Sequence, residues 1–250
     1  MGNAEPVLER SPPVLALPAR EVMMVEIEVS VRPRHRAPVR RLRNWPLGVV
    51  VVAAVLTIAF FLAMSGLLGY HAHTDEVADD YAGLVGPMVI TRAGSARPDG
   101  TPIDVDRELF VQLTVSDEIA SPYLARNMDR FTTDPASVDP ANEEFGESNL
   151  MHTVNGYVFG NQPLSSMTVK RYQRVRWYLM GMGTEVDLHT PHWHGNTVVA
   201  LGMRTDVVSL LPASMMIADM VPDDVGTWLF HCHVNDHITA GMLTRYRVRP

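Results

Sequence analysis

The chain has 250 residues, 46% of them hydrophobic, and a formal charge of -7. That length allows one good core and part of a second, while the acidic balance gives no electrostatic reason for nucleic-acid binding, so none is expected. A lone cysteine, Cys232, excludes an intrachain disulfide framework.

Residues 1–46 mix proline, glutamate and short apolar runs and read as a flexible cytoplasmic tail. The tail ends in Arg32, Arg34, Arg36, Arg40, Arg41 and Arg43. Residues 47–69 (LGVVVVAAVLTIAFFLAMSGLLG) then carry no charge and no proline. At about 1.5 Å per residue such a helix crosses a hydrocarbon core of roughly 30 Å. The flanking arginines predict a single-pass membrane protein with its C-terminal part outside the cytoplasm. A cleaved export signal, twin-arginine in type, is the alternative, but the apolar run is longer than a usual signal core.

Beyond Tyr70 short strands are expected at 84–91, 107–115, 151–160, 173–181, 197–201, 207–211, 227–232 and 243–248, separated by Gly, Pro and Asn signals. The 107–115 segment (RELFVQLTV) is a mostly apolar strand, with Leu109, Val111, Leu113 and Val115 on one face and Phe110 on the other. Residues 125–148 are acidic, contain Pro135 and Pro140, and read as a long loop. Many short strands without a helical period predict an all-β sandwich or Greek-key barrel.

Six of the ten histidines fall between His189 and His237. They lie in two segments, HTPHWHG at 189–195 and HCHVNDH at 231–237, the second followed by Met242. Copper cycling between +1 and +2 favours imidazole and thiolate with a weak axial thioether. Cys232, His237 and Met242 arrive from one short segment, and His189 is the natural fourth donor, so these four form a candidate type 1 site. His192, His194, His231 and His233 remain, in two H-x-H pairs. In extended chain residues two apart share a face, so each pair aims both imidazoles at one place and Cys232 points away from its two neighbours. That pattern predicts two metal centres on opposite sides of one strand. Zinc is the competing metal, but a structural zinc site normally uses more thiolates.

These two segments resemble the C-terminal copper motifs of multicopper oxidases, ceruloplasmin-like members in particular. The resemblance extends over residues 70–250 and includes YAGLVGP at 81–87, DVDR at 104–107, ESNLMH at 147–152, NGYVFGN at 155–161 and GMGTEVDLH at 181–189. It implies a cupredoxin fold for 101–250, with 70–100 as the tail of a preceding cupredoxin domain. It implies His192 as a type 2 copper ligand and His194, His231 and His233 as type 3 ligands, with Cys232, His231 and His233 forming the electron path. His71 and His73 resemble a further type 3 pair, whereas the family's other upstream H-x-H pair has no counterpart, since only His35 precedes them. The same resemblance implies an iron site at Glu147, His152 and Asp236, whose hard carboxylates favour Fe(III) over Fe(II).

The expected function is a copper-dependent oxidoreductase that takes single electrons from a small reductant, iron(II) among the candidates, and reduces O2. A homo-oligomer or partner chain would complete its cluster. A non-enzymatic type 1 copper carrier and a truncated inactive remnant are the alternatives.

Overall fold

The computed structural model describes residues 66–183 and 188–250, and the expected cytoplasmic tail (1–46) and most of the expected membrane span lie outside them. Its core is two sheets packed face to face, six strands in the order β4-β3-β6-β10-β8-β9 and four in the order β5-β12-β11-β7. In chain order these are β3 (Arg107–Asp117), β4 (Leu150–Val154), β5 (Thr168–Lys170), β6 (Val175–Gly183), β7 (Pro191–Trp193), β8 (Val198–Ala200), β9 (Met203–Thr205), β10 (Ser214–Met220), β11 (Gly226–Cys232) and β12 (Leu243–Arg249). The two sheets agree with the all-β expectation.

Strand alternation builds the interior. Leu109, Val111, Leu113 and Val115 of β3 join Trp177 and Leu179 of the parallel neighbour β6 on the inner face of the larger sheet. Phe230 and Cys232 of β11, Trp193 of β7 and Tyr246 of β12 face them from the smaller one. Trp177 joins the layers: its ring stacks on Phe230 at 5.3 Å and meets Trp193 and Tyr246 edge-on at 5.5 and 5.6 Å. Such offset and T-shaped contacts add to the burial of large rings.

The outer face of the larger sheet is covered too. A separate antiparallel hairpin, β1 (Gly66–His71) and β2 (Val85–Ile90), lies over it. At Gly69 a Cβ would stand 3.6 Å from Met180 Sδ and closer still to Met215, so the bare glycine lets the ribbon approach β6 and β10. Between β1 and β2 runs the short helix α1 (Glu76–Tyr81), capped by Asp75, whose carboxylate accepts the Ala78 amide hydrogen.

Several expectations need correction. Residues 66–69, read as the end of the membrane helix, form strand β1 instead, because they pair residue by residue with Pro87–Ile90. Among the described residues no helix is long and apolar enough to cross a membrane, and residues 47–65 fall outside them. The loop expected at 125–148 contains helices α2 (Leu124–Phe131) and α3 (Glu143–Ser148) with a 3-10 turn at Pro135–Ser137. None of the three fully buries a residue, so no apolar period announces them. The 207–211 strand reduces to isolated bridges at Val207 and Leu210.

Candidate metal centres

The antiparallel pairing of β7 and β11 organises both candidate centres. Its register sets His231 opposite His192, Phe230 opposite Trp193 and Cys232 opposite Pro191. Trp193, Phe230 and Cys232 therefore enter the core, and the imidazoles between them leave on the other side.

On the core side, His189, Cys232 and His237 present ligand atoms that all lie within 4.8 Å of one another. Cys232 Sγ stands 3.5 Å from His237 Nδ1, and the His189 and His237 rings are 5.1 Å apart. Cys232 and His189 are wholly buried and His237 nearly so. The loop joining Cys232 to Met242 contains helix α4 (Asn235–Thr239) and is closed by hydrogen bonds. The Cys232 amide donates to Met242 O (3.1 Å) and the Met242 amide to His237 O (2.8 Å). Met242 is also fully buried.

Both ring nitrogens of His189 are buried without a hydrogen-bond partner. A fully desolvated imidazole is costly to leave unsatisfied. Burial, reinforced by His237 and His152, pushes the His189 pKa down to about 4. Burial likewise lowers His237, with His152 adding to the effect. Neutral imidazoles beside a thiol are what a soft, redox-active ion requires. The donor set fits copper.

On the other side, His192, His194 and His231 form a second converging group. His231 Nε2 is 3.2 Å from His192 Nδ1 and 3.1 Å from His194 Nε2. His233 adjoins them, its ring 5.2 Å from His192 and 5.4 Å from His231. Burial lowers the pKa of both His192 and His231, with neighbouring imidazoles contributing in the same direction. The Nδ1 of His231 bonds the carbonyl of Cys232 at 2.7 Å. The two groups are thus joined by one peptide link and a hydrogen bond.

Several supporting residues carried no sequence signal. The Thr190 amide donates to Cys232 Sγ (3.3 Å), and its hydroxyl accepts the His233 amide hydrogen (3.1 Å). Asp206 lies 3.5 Å from His192 Nε2, an outer partner that orients an imidazole. Tyr246 OH donates to the carbonyl of His194 and accepts from Asn196 Nδ2. Gly195 has φ +75, and a Cβ there would meet the Trp228 ring at 2.2 Å, so only glycine fits the turn after His194. Residues 184–187, just before His189, lie outside the described residues.

The remaining candidates are more dispersed. His152 is buried on β4, its ring 5.1 Å from His237, with Nδ1 bonded to Leu150 O. Glu147 and Asp236 are exposed at helix α3 and at the start of α4. Neither converging group contains Glu147, His152 or Asp236. His71 and His73 sit together at the end of β1, rings 4.3 Å apart, and pair instead with acidic groups of α1. His71 faces Asp80 at 3.9 Å and His73 bonds Glu76. Neither joins the His192 group.

Residues 132–250 match the family model described as multicopper oxidase. The human ferroxidase HEPHL1 is 44% identical over 180 residues, which cover 72% of this chain and 15% of that protein. Rat ceruloplasmin is 38% identical over 180 residues, covering 72% of this chain and 17% of its own length. The chain therefore spans about one sixth of the curated relatives it matches. The crystal structure of a blue copper oxidase from Nitrosomonas europaea superposes with a TM-score of 0.51 at 21% identity, over 74% of this chain and 56% of that one. That likeness concerns the fold.

Proposed function

Because residues 132–250 belong to the multicopper oxidase family, we propose that the sandwich is the copper-binding, electron-accepting domain of an oxidase that draws single electrons from a reductant and delivers them to O2. The cofactor is copper. His189, Cys232, His237 and Met242 would hold a type 1 ion, His192 a type 2 ion, and His194, His231 and His233 the type 3 ions. Copper bound there would supply one-electron chemistry on the sulfur side and oxygen reduction on the imidazole side.

The observation that carries this reading is the alternation along His231-Cys232-His233, one residue to the core and its neighbour to the opposite group. A carrier with one copper has no use for the second group. Buried neutral imidazoles accept an ion without first losing a proton at neutral pH, and the Thr190 amide restrains the sulfur. Further imidazoles must complete the second cluster, and a partner chain or another domain supplies them.

Iron(II) is the favoured reductant. His152 touches the His237 ring, which puts a candidate iron ligand in contact with a candidate copper ligand. Glu147 and Asp236 would add the carboxylates once iron binds. The uncharged run 47–65 would anchor the chain in a membrane with the sandwich outside the cytoplasm.

Copper analysis with oxygen uptake, run with and without iron(II), tests the reading. More than one copper per chain, with iron-stimulated uptake that Glu147→Gln and His152→Ala abolish, is the expected result. One copper per chain without uptake would leave only a carrier.

A further inference from the structure

Trp193 stands between His192 and His194, and its ring turns into the core while their imidazoles leave it. There it meets Trp177 edge-on at 5.5 Å. The next residue of β6 is Tyr178, which points to the outer face of the larger sheet and stacks on Phe110 at 4.8 Å. Trp193, Trp177 and Tyr178 are all buried. A line of three oxidisable rings therefore runs from the imidazole group, across the core, to the far side of the larger sheet.

The fate of a proton differs along that line. Among the described residues, the Nε1–H groups of Trp193 and Trp177 are buried without an acceptor. An indole that loses an electron there has no base to take its proton. It regains an electron from the next ring instead of settling as a neutral radical. Tyr178 is different, because its hydroxyl donates to Glu108 Oε1 at 2.7 Å, a carboxylate able to keep a proton. Burial, with Glu108 adding to the effect, holds this phenol protonated well above the ordinary tyrosine range. Removing an electron from it therefore means moving the proton as well. Tyr246 also meets Trp177, edge-on at 5.6 Å, but its hydroxyl donates to the peptide carbonyl of His194, which is too weak a base to keep a proton. Of the two tyrosines beside Trp177, only Tyr178 can end the line.

We propose that Trp193, Trp177 and Tyr178 carry a single oxidising equivalent from the imidazole group to the outer face of the larger sheet, with Glu108 as the proton acceptor. The proposal rests on the oxidase reading, in which O2 that has received too few electrons at that group is a one-electron oxidant. The oxidant gains one electron from Trp193, Trp193 regains one from Trp177, and Trp177 regains one from Tyr178 as the phenolic proton passes to the Glu108 carboxylate. The products are a neutral tyrosyl radical and a protonated Glu108. A soluble one-electron reductant of the ascorbate or thiol class then returns the electron, and Glu108 returns the proton. The histidines of the group are spared oxidation.

The test uses the full chain and needs no metal. Metal-free protein with Asp206→Cys and Cys232→Ser carries one ruthenium polypyridyl photo-oxidant at position 206, whose backbone carbonyl accepts the Trp193 amide hydrogen at 2.8 Å. A flash with a cobalt(III) quencher leaves ruthenium(III), which stands in for the oxidant. Electron paramagnetic resonance should show a tyrosyl radical that is lost in Tyr178→Phe, in Trp177→Phe and in Trp193→Phe. Glu108→Gln still accepts the phenol's hydrogen bond but is no base, and should leave a tryptophan radical in place of the tyrosyl one. Circular dichroism checks that each variant is folded, and either tryptophan variant alone tests the relay. No tyrosyl signal in the folded parent, or one that survives Tyr178→Phe or a folded tryptophan variant, would overturn the route. A tyrosyl signal unchanged in Glu108→Gln would overturn the role of Glu108. Copper content is read separately on the unlabelled chain. An intact route in protein that binds no copper would sink the oxidase reading and leave the route standing.

Discussion

Acidifying the metal-free protein should unfold it through His189. Burial holds this imidazole neutral, with its pKa at about 4 against an ordinary value of 6.5. Between those two values the unfolded chain binds a proton that the folded chain refuses, so stability falls as pH falls. The contribution is fully present above about pH 7 and fades through the window from 6.5 down to about 4. A gap of about 2.5 pH units corresponds to roughly 3 kcal/mol at 1.36 kcal/mol per unit. That is a large part of the 5–15 kcal/mol typical of a domain. His192, His231 and His237 are depressed too and act in the same direction, so a difference measurement isolates His189. Urea unfolding of the metal-free wild type and His189→Leu is compared at about pH 7.5 and about pH 4. The wild type should lose roughly 3 kcal/mol more than the variant over that interval. Parallel losses would refute the claim that His189 is buried neutral without a partner.

Three packing predictions accompany it. Trp177→Ala empties the joint between the sheets and should cost about 3–5 kcal/mol in denaturant unfolding. Gly195→Ala forces a Cβ into Trp228 at positive φ, and calorimetry should show a loss of about 1–3 kcal/mol together with weaker copper retention by the His192 group. Tyr246→Phe strands the His194 carbonyl and leaves the Asn196 amide only the Asp224 carbonyl, and should cost about 1–3 kcal/mol by the same measure.

How much of this was legible beforehand depended on which faces were buried. Strand β3 was readable because only one side of RELFVQLTV enters the core between the sheets. Strand β10 was not, since Ala218 and Met220 pack inward while Met215 meets the hairpin on the other face, which erases the period of two. Helix α3 was hidden for the opposite reason. It buries nothing and is held at its start by Asn142, whose side chain accepts the Phe145 amide hydrogen. The candidate metal ligands were legible because their spacing within two short segments is itself the signal. Thr190 and Tyr246 were not, because the atoms they bond lie 42 and 52 residues away in the chain. The same limit applies to 66–69. An apolar run cannot announce that its last residues will pair with a strand some twenty residues on.

The visible spectrum of the copper(II)-loaded protein tests the central claim most directly. An intense thiolate-to-copper absorption is expected in the wild type, lost in Cys232→Ser while copper is still retained by the His192 group. A spectrum without that band, or one that Cys232→Ser leaves unchanged, would contradict the account.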